Sequence, residues 1–176
     1  MNIILFFSAL FSLCNSGTTI NEVQNEPNIT VYFFLLDDCK ICRDYAPELG
    51  DLYDKYNTPE IEFVGVFPNF SSKPENIDEF KEEYDIPFEL KTDYFKKLSK
   101  KFDAKLLPEV FVYDHLKKEV LYSGRIDDRY VSIGKRRQII KSFDLENALD
   151  NINAQKDILV KRTEPIGCFI NYNDNL

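Results

Sequence analysis

The chain has 176 residues, 44% of them hydrophobic, which is the length and apolar content of one ordinary globular domain. Its net charge of −8, with basic residues scattered apart from Lys135-Arg136-Arg137, excludes a positive surface for phosphate backbones. Nucleic acid is therefore not an expected partner.

The N-terminal segment MNIILFFSALFSLCNSGTT sets an apolar run, Ile3 to Leu13, ahead of small and polar residues. This is the plan of a secretory signal peptide over residues 1–16, and the run is too short to span a bilayer. No Lys or Arg precedes it, and a buried N-terminal strand or helix is the competing reading. Cys14 stands where a bacterial lipoprotein carries its lipidated cysteine, although Leu13 occupies a position where a small residue is expected. Lipidation there would tether the protein to a membrane. Export would place Cys39, Cys42 and Cys168 in the periplasm or cell envelope, where disulfides persist, and would leave one thiol over.

Residues 17–28 are polar, end near Pro27 and read as a linker to a domain over residues 29–154. ITVYFFLL, Ile29 to Leu36, is a continuous β-branched and aromatic run, the pattern of a central strand buried on both faces. Tyr45, Leu49, Leu52, Tyr53 and Tyr56 then recur at helical spacing, with Pro47 expected to kink the helix. Ile61 to Phe67 is a second strand and ENIDEFKEEYDI an amphipathic helix. PFEL is a short strand, DYFKKLSKKFDA a helix, and EVFVYD with KEVLYSG two strands joined between Asp114 and Lys118. SFDLENALDNINA is the last helix, with Ser142 as its expected N-cap, and residues 155–176 form a tail carrying Cys168. Strands alternating with helices imply parallel pairing, and the closing hairpin adds antiparallel strands. The expected fold class is α/β, a mixed central sheet flanked by helices with a C-terminal extension.

The pair Cys39-Lys40-Ile41-Cys42 falls at the strand-to-helix turn. A cysteine at a helix start meets unpaired backbone N–H groups that favour its thiolate, so Cys39 is the candidate nucleophile. Cys42 lies one turn on, on the same face and more buried, as suits a resolving thiol. Lys40 lowers the pKa of Cys39 while Asp37 and Asp38 raise it by comparable amounts, so these charges fix no redox potential. Two structural readings compete. Zinc would need two more ligands, with Cys168 and His115 the remaining choices, and an inert disulfide closing so small a loop would stabilise little.

Pro108 in KLLPEVFVYD directly precedes a buried strand, an unusual place for a residue that cannot donate to a sheet ladder. A strand ending in CxxC at a helix start, with a proline opening a late strand, resembles the thioredoxin fold. That resemblance implies a cis peptide bond between Leu107 and Pro108, with the proline packed against the active-site cysteines. The 66 positions from Cys42 to Pro108, and the order FVGVFPN, helix, YDIPFELKTDYFKKLSKKFDAKLLPEVFVYD, narrow it to the redoxin, AhpC/TSA-like, branch over roughly 29–124. YSGRIDDRYV and KRTEPIGCFI resemble signatures of exported bacterial redoxin-domain proteins. In many of these the position of Cys42 is serine and a tail cysteine matching Cys168 is typical, which implies Cys168 as an alternative resolving thiol. Its competing reading is a small buried hydrophobe.

Arg125, Asp127 and Asp128 read as a salt-bridged loop that fixes the extension, with partner binding as the alternative. The 15 Phe and 10 Tyr read as core filling. The expected function is a thiol–disulfide oxidoreductase acting outside the cytoplasm on protein thiols or disulfides, using Cys39, Cys42, Pro108 and Cys168 and no cofactor or metal. A peroxiredoxin-like peroxidase is the second reading, although Leu36 stands where peroxiredoxins place Thr or Ser before the cysteine. A non-catalytic binding module or soft-metal carrier is the third.

Overall fold

The computed structural model describes residues 27–173. The expectations for the signal peptide and for Cys14 fall outside these residues. The first described strand, β1 (Ile29–Phe34), lies at the centre of a five-stranded sheet. On one side it pairs in parallel with β2 (Ile61–Phe67), which pairs in parallel with β3 (Glu89–Thr92). On the other it runs antiparallel to β5 (Glu109–Asp114), which forms a hairpin with β6 (Glu119–Gly124). Between β3 and β5 lies β4 (Leu106–Leu107), outside the main sheet. The sheet is mixed and flanked by helices, and the fold is thioredoxin-like.

Alternation along β1 divides the aromatic core between the two faces. Phe33 stacks with Phe63 and Phe88, against which Tyr53 of helix α1 (Lys40–Tyr56) packs. Tyr32 and Phe34 point the other way, to Phe102 of helix α3 (Lys97–Phe102) and to Phe111. Burying one such ring is worth about 1.5–3 kcal/mol, and these rings fill the core on both faces of the sheet. Helix α2 (Pro74–Glu83) buries Ile77 and Phe80, and helix α4 (Asp144–Asn153) buries Leu145, Ala148 and Leu149.

Three local expectations are corrected. Helix α3 begins at Lys97, not at Asp93, because Lys96 takes a left-handed conformation. The Asp93 carboxylate instead caps α3 from outside, accepting the N–H groups of Lys97, Leu98 and Ser99 at 2.8 to 3.2 Å. The short strand expected at residues 87–90 is displaced to β3. Ser142 is not the N-cap of α4. Phe143 holds that position, and the Ser142 hydroxyl donates to Asp144 Oδ1 at 2.6 Å. Helix α1 runs unbroken through Pro47.

Beyond Gly124 the chain forms a small hairpin, β7 (Tyr130–Ser132) with β8 (Lys135–Arg136), and after α4 the tail returns as β9 (Cys168–Phe169). Strand β9 is antiparallel to β4, with Leu106 opposite Phe169 and Leu107 opposite Cys168. Among the described residues no helix is long and apolar enough to cross a membrane.

Candidate functional site

Strand β1 delivers the chain to the C-terminal edge of the sheet, where Cys39 becomes the N-cap residue of α1 in an extended conformation. There its sulfur faces the N–H groups of the first helical turn. Cys42, one turn on, is fully buried, and Cys39 is 2% exposed. As a thiol, Cys39 donates to the Leu107 carbonyl at 3.5 Å. That carbonyl belongs to the cis peptide bond Leu107–Pro108. The loop bearing it is held by the Glu109 carboxylate, which accepts the Lys105 and Leu106 amides at 2.8 and 3.1 Å.

The Cys39 thiol is lowered to about 5, first because the Cys42 thiol hydrogen-bonds to its sulfur. The Cys168 thiol and the backbone N–H groups of Cys42 and Ile41 act in the same direction, against burial. The two partners move the opposite way. Burial pushes Cys42 well above its ordinary range, and the negative charge on Cys39 adds to it. Cys168 is pushed up to about 12, by burial first and then by Cys39. One sulfur is thus set up as a thiolate between two protonated thiols. Cys39, Cys42 and Cys168 are all free thiols.

The tail reaches this place because small residues let it lie flat on the β4 loop. A Cβ atom at Gly167 would fall 2.0 Å from the Leu107 carbonyl oxygen. Next to it, Asn69 Nδ2 donates to the Phe169 carbonyl at 3.1 Å, while Asn69 Oδ1 accepts the Asn171 amide at 2.9 Å. Ile170 is buried and its amide donates to the Lys105 carbonyl at 3.0 Å. Further back, Thr163 presses on Gly124, whose φ of 132° suits glycine, and its hydroxyl accepts the Arg125 amide at 3.1 Å.

The other wall is a buried polar network behind α1. The Tyr45 hydroxyl donates to Asp127 at 2.7 Å, Arg129 pairs with Asp127 at 2.7 Å and with Glu48, and its guanidinium lies over the Tyr45 ring at 4.2 Å. Burial raises the Asp127 carboxyl, and the Tyr45 hydroxyl acts against it. Arg125 pairs with Asp144, and Arg137 with Asp128. The segment is the salt-bridged loop expected from its mixed charge, and it anchors the tail through Thr163. It also supports the β7–β8 hairpin, whose Ile133, Gly134 and Arg136 wall a cleft of about 440 Å³ together with Cys39, Ile41, Gly167 and Cys168.

The structure therefore brings Cys39, Cys42, Cys168 and the Leu107–Pro108 bond together. Lys40 lines the same cleft, but Lys40, Asp37 and His115 are each engaged with other partners. Lys40 pairs with Asp44 at 3.0 Å, Asp37 accepts from the Ser72 hydroxyl, and His115 hydrogen-bonds Thr30 at 2.8 Å. Among the described residues no group of three or more His, Cys, Asp or Glu is arranged to hold a metal ion. Sequence reasoning missed Asn69 and Gly167, which position the tail. The Gly-Cys dipeptide of the tail was the available signal for the second.

The fold has clear counterparts among solved structures. An uncharacterised conserved protein from Geobacillus kaustophilus superposes with a TM-score of 0.72 at 24% identity, over 85% of this chain and 79% of that one. A hypothetical protein from Sinorhizobium meliloti 1021 does so at 0.73 and 21% identity, over 86% and 84%. A thioredoxin-like protein in its oxidised form matches at 0.54 and 20% identity, over 74% and 80%. No curated protein matches the chain. The model of the AhpC/TSA family matches residues 9–120, more than half of the sequence. With that match and a thioredoxin-like sheet, the chain belongs to the AhpC/TSA family.

Proposed function

We propose that the protein is a thiol–disulfide oxidoreductase acting outside the cytoplasm, with Cys39 as attacking thiolate and Cys42 or Cys168 as resolving thiol. The observation that carries this reading is the placement of Cys39 at the N-cap of α1, in hydrogen-bond contact with the Cys42 and Cys168 thiols and the first-turn N–H groups, which together favour its thiolate. At neutral pH the Cys39 thiolate attacks one sulfur of a partner disulfide, expelling the other as a thiolate and leaving a mixed disulfide on Cys39. The resolving thiol then loses its proton, attacks Cys39 and expels the partner's second sulfur. The partner gains two electrons, and the protein keeps one internal disulfide. The reaction calls for no metal or organic cofactor, and its partners are protein thiols and disulfides.

The Leu107 carbonyl and the loop of Pro108 fix where Cys39 sits and which side of it is open. Action outside the cytoplasm rests on the apolar run at the N-terminus, which has the plan of a secretory signal. The test is turnover of a peptide disulfide by the reduced protein with a thiol reductant. The wild type turns over and Cys39→Ser does not; equal rates for the two contradict the reading. Family membership favours a second reading, a thiol peroxidase in which Cys39 attacks a peroxide. Peroxide consumption coupled to a thiol reductant tests it, and zero turnover removes it.

A further inference from the structure

The three sulfurs of the site differ sharply in what an outside molecule can reach. Cys42 is 0% exposed, and Cys39, although it lines the cleft, is only 2% exposed. Cys168 lies at intermediate exposure on the outer strand β9 and lines the cleft beside Ile41 and Arg136. Both Cys39 and Cys168 meet Leu107, the first through its sulfur on the carbonyl and the second through the β4–β9 register. The Cys168 thiol is also in hydrogen-bond contact with the Cys39 sulfur.

Leaving-group chemistry favours the same sulfur. Exchange is faster when the expelled thiol has the lower pKa. Attack on Cys168 in a Cys39–Cys168 disulfide expels Cys39, whose thiol sits at about 5. Attack on Cys39 expels Cys168, or in the other disulfide Cys42, and burial disfavours the thiolate of each.

Building on the oxidoreductase reading above, we infer that Cys168 is the partner-facing sulfur: turnover passes through a Cys39–Cys168 disulfide, which reducing thiols attack at Cys168. A partner thiolate bonds to Cys168 Sγ, the Cys39–Cys168 bond breaks, and its electron pair leaves on Cys39. A second partner thiolate then attacks the first partner sulfur and expels the Cys168 thiolate, which takes up a proton. Two partner thiols become one disulfide, and one protein disulfide becomes the Cys39 thiolate and the Cys168 thiol. Cys42 acts on this step as a positioning residue, holding the Cys39 thiolate through its hydrogen bond.

The test uses the full-length oxidised protein, wild type and Cys42→Ser, mixed with excess glutathione, quenched early with acid and mapped for mixed disulfides. Glutathione is expected on Cys168 in at least about tenfold excess over Cys39. In Cys168→Ser the remaining Cys39–Cys42 disulfide is expected to be reduced at least about tenfold more slowly than the disulfide of the wild type. Glutathione on Cys39 overturns the inference and leaves the oxidoreductase reading standing. Failure of Cys39 to form any disulfide in the oxidised protein overturns both.

Discussion

Gly167 rests directly on the backbone of Leu107, so close that any side chain at position 167 would overlap the carbonyl oxygen that also receives Cys39. The tail is therefore part of the site, and its seat depends on one missing Cβ atom. Gly167→Ala must shift β9 or the β4 loop, at a cost of about 1–3 kcal/mol by analogy with overpacked cores. Urea denaturation is expected to show this loss, and iodoacetamide is expected to reach Cys39 faster. Unchanged stability and unchanged alkylation would contradict the placement of the tail.

The state of Cys39 makes a prediction in pH. Its alkylation rate follows a titration with a midpoint of about 5, and Cys42→Ala moves that midpoint up toward the ordinary 9.0, since the Cys42 hydrogen bond is the largest cause of the shift. The same shift couples to stability. A thiol whose folded pKa is depressed stabilises the fold fully above its unfolded value and loses that contribution as pH falls through the folded value. The reduced wild type should thus gain stability over Cys39→Ser between about pH 5 and 9. Above 9.0 the raised Cys42 and Cys168 work in the opposite direction, because unfolding then releases their protons. Denaturation midpoints of the two proteins across this range check the sign.

Asp127 balances a buried cation. Asp127→Ala removes the acceptor of the Tyr45 hydroxyl and one of the two carboxylates that face Arg129. Breaking one partner of such a buried pair costs about 3–5 kcal/mol. Tyr45→Phe, which removes one hydrogen bond, should cost about 1 kcal/mol. Equilibrium unfolding of the two variants separates these values, and similar small losses would show that the network carries little.

Asn69 clamps the tail at Phe169 and Asn171. Asn69→Ala loses both hydrogen bonds to the tail, one at Phe169 of β9 and one at Asn171, a local loss of about 1–3 kcal/mol. Hydrogen exchange should quicken at Phe169 and Ile170 and stay unchanged in β1. Uniform acceleration across the sheet would instead mark Asn69 as a global stability residue.

Much of this architecture is legible in the residues themselves. The run from Ile29 to Leu36 is β-branched, aromatic or aliphatic at every position, which is why β1 reads as central, and the cysteine pair falls where that run gives way to helical periodicity. The β5–β6 hairpin declares itself through two aromatic and β-branched runs around Asp114. The β4–β9 pairing does not, because two-residue strands have no period and their partners lie 61 positions apart, from Leu107 to Cys168. The resemblance of the tail to redoxin-domain proteins was the signal for Cys168. Lys40 and Asp44 stand four apart on one helix and pair with each other, a spacing readable in advance. The shift of Cys39 comes instead from thiols and backbone amides, whose proximity follows from the fold. Helix α3 is shorter than its pattern because Asp93 caps it from a distance, with Lys96 left-handed between them.

The central claim is that Cys39 is a redox-active sulfur rather than part of a staple. It is tested most directly by mapping disulfides in protein equilibrated across a series of glutathione redox buffers. The account predicts a disulfide containing Cys39 that forms and breaks reversibly within about −270 to −120 mV, the span of known CxxC oxidoreductases. A bond that stays oxidised below about −300 mV, or a Cys39 that remains a free thiol throughout, would contradict it.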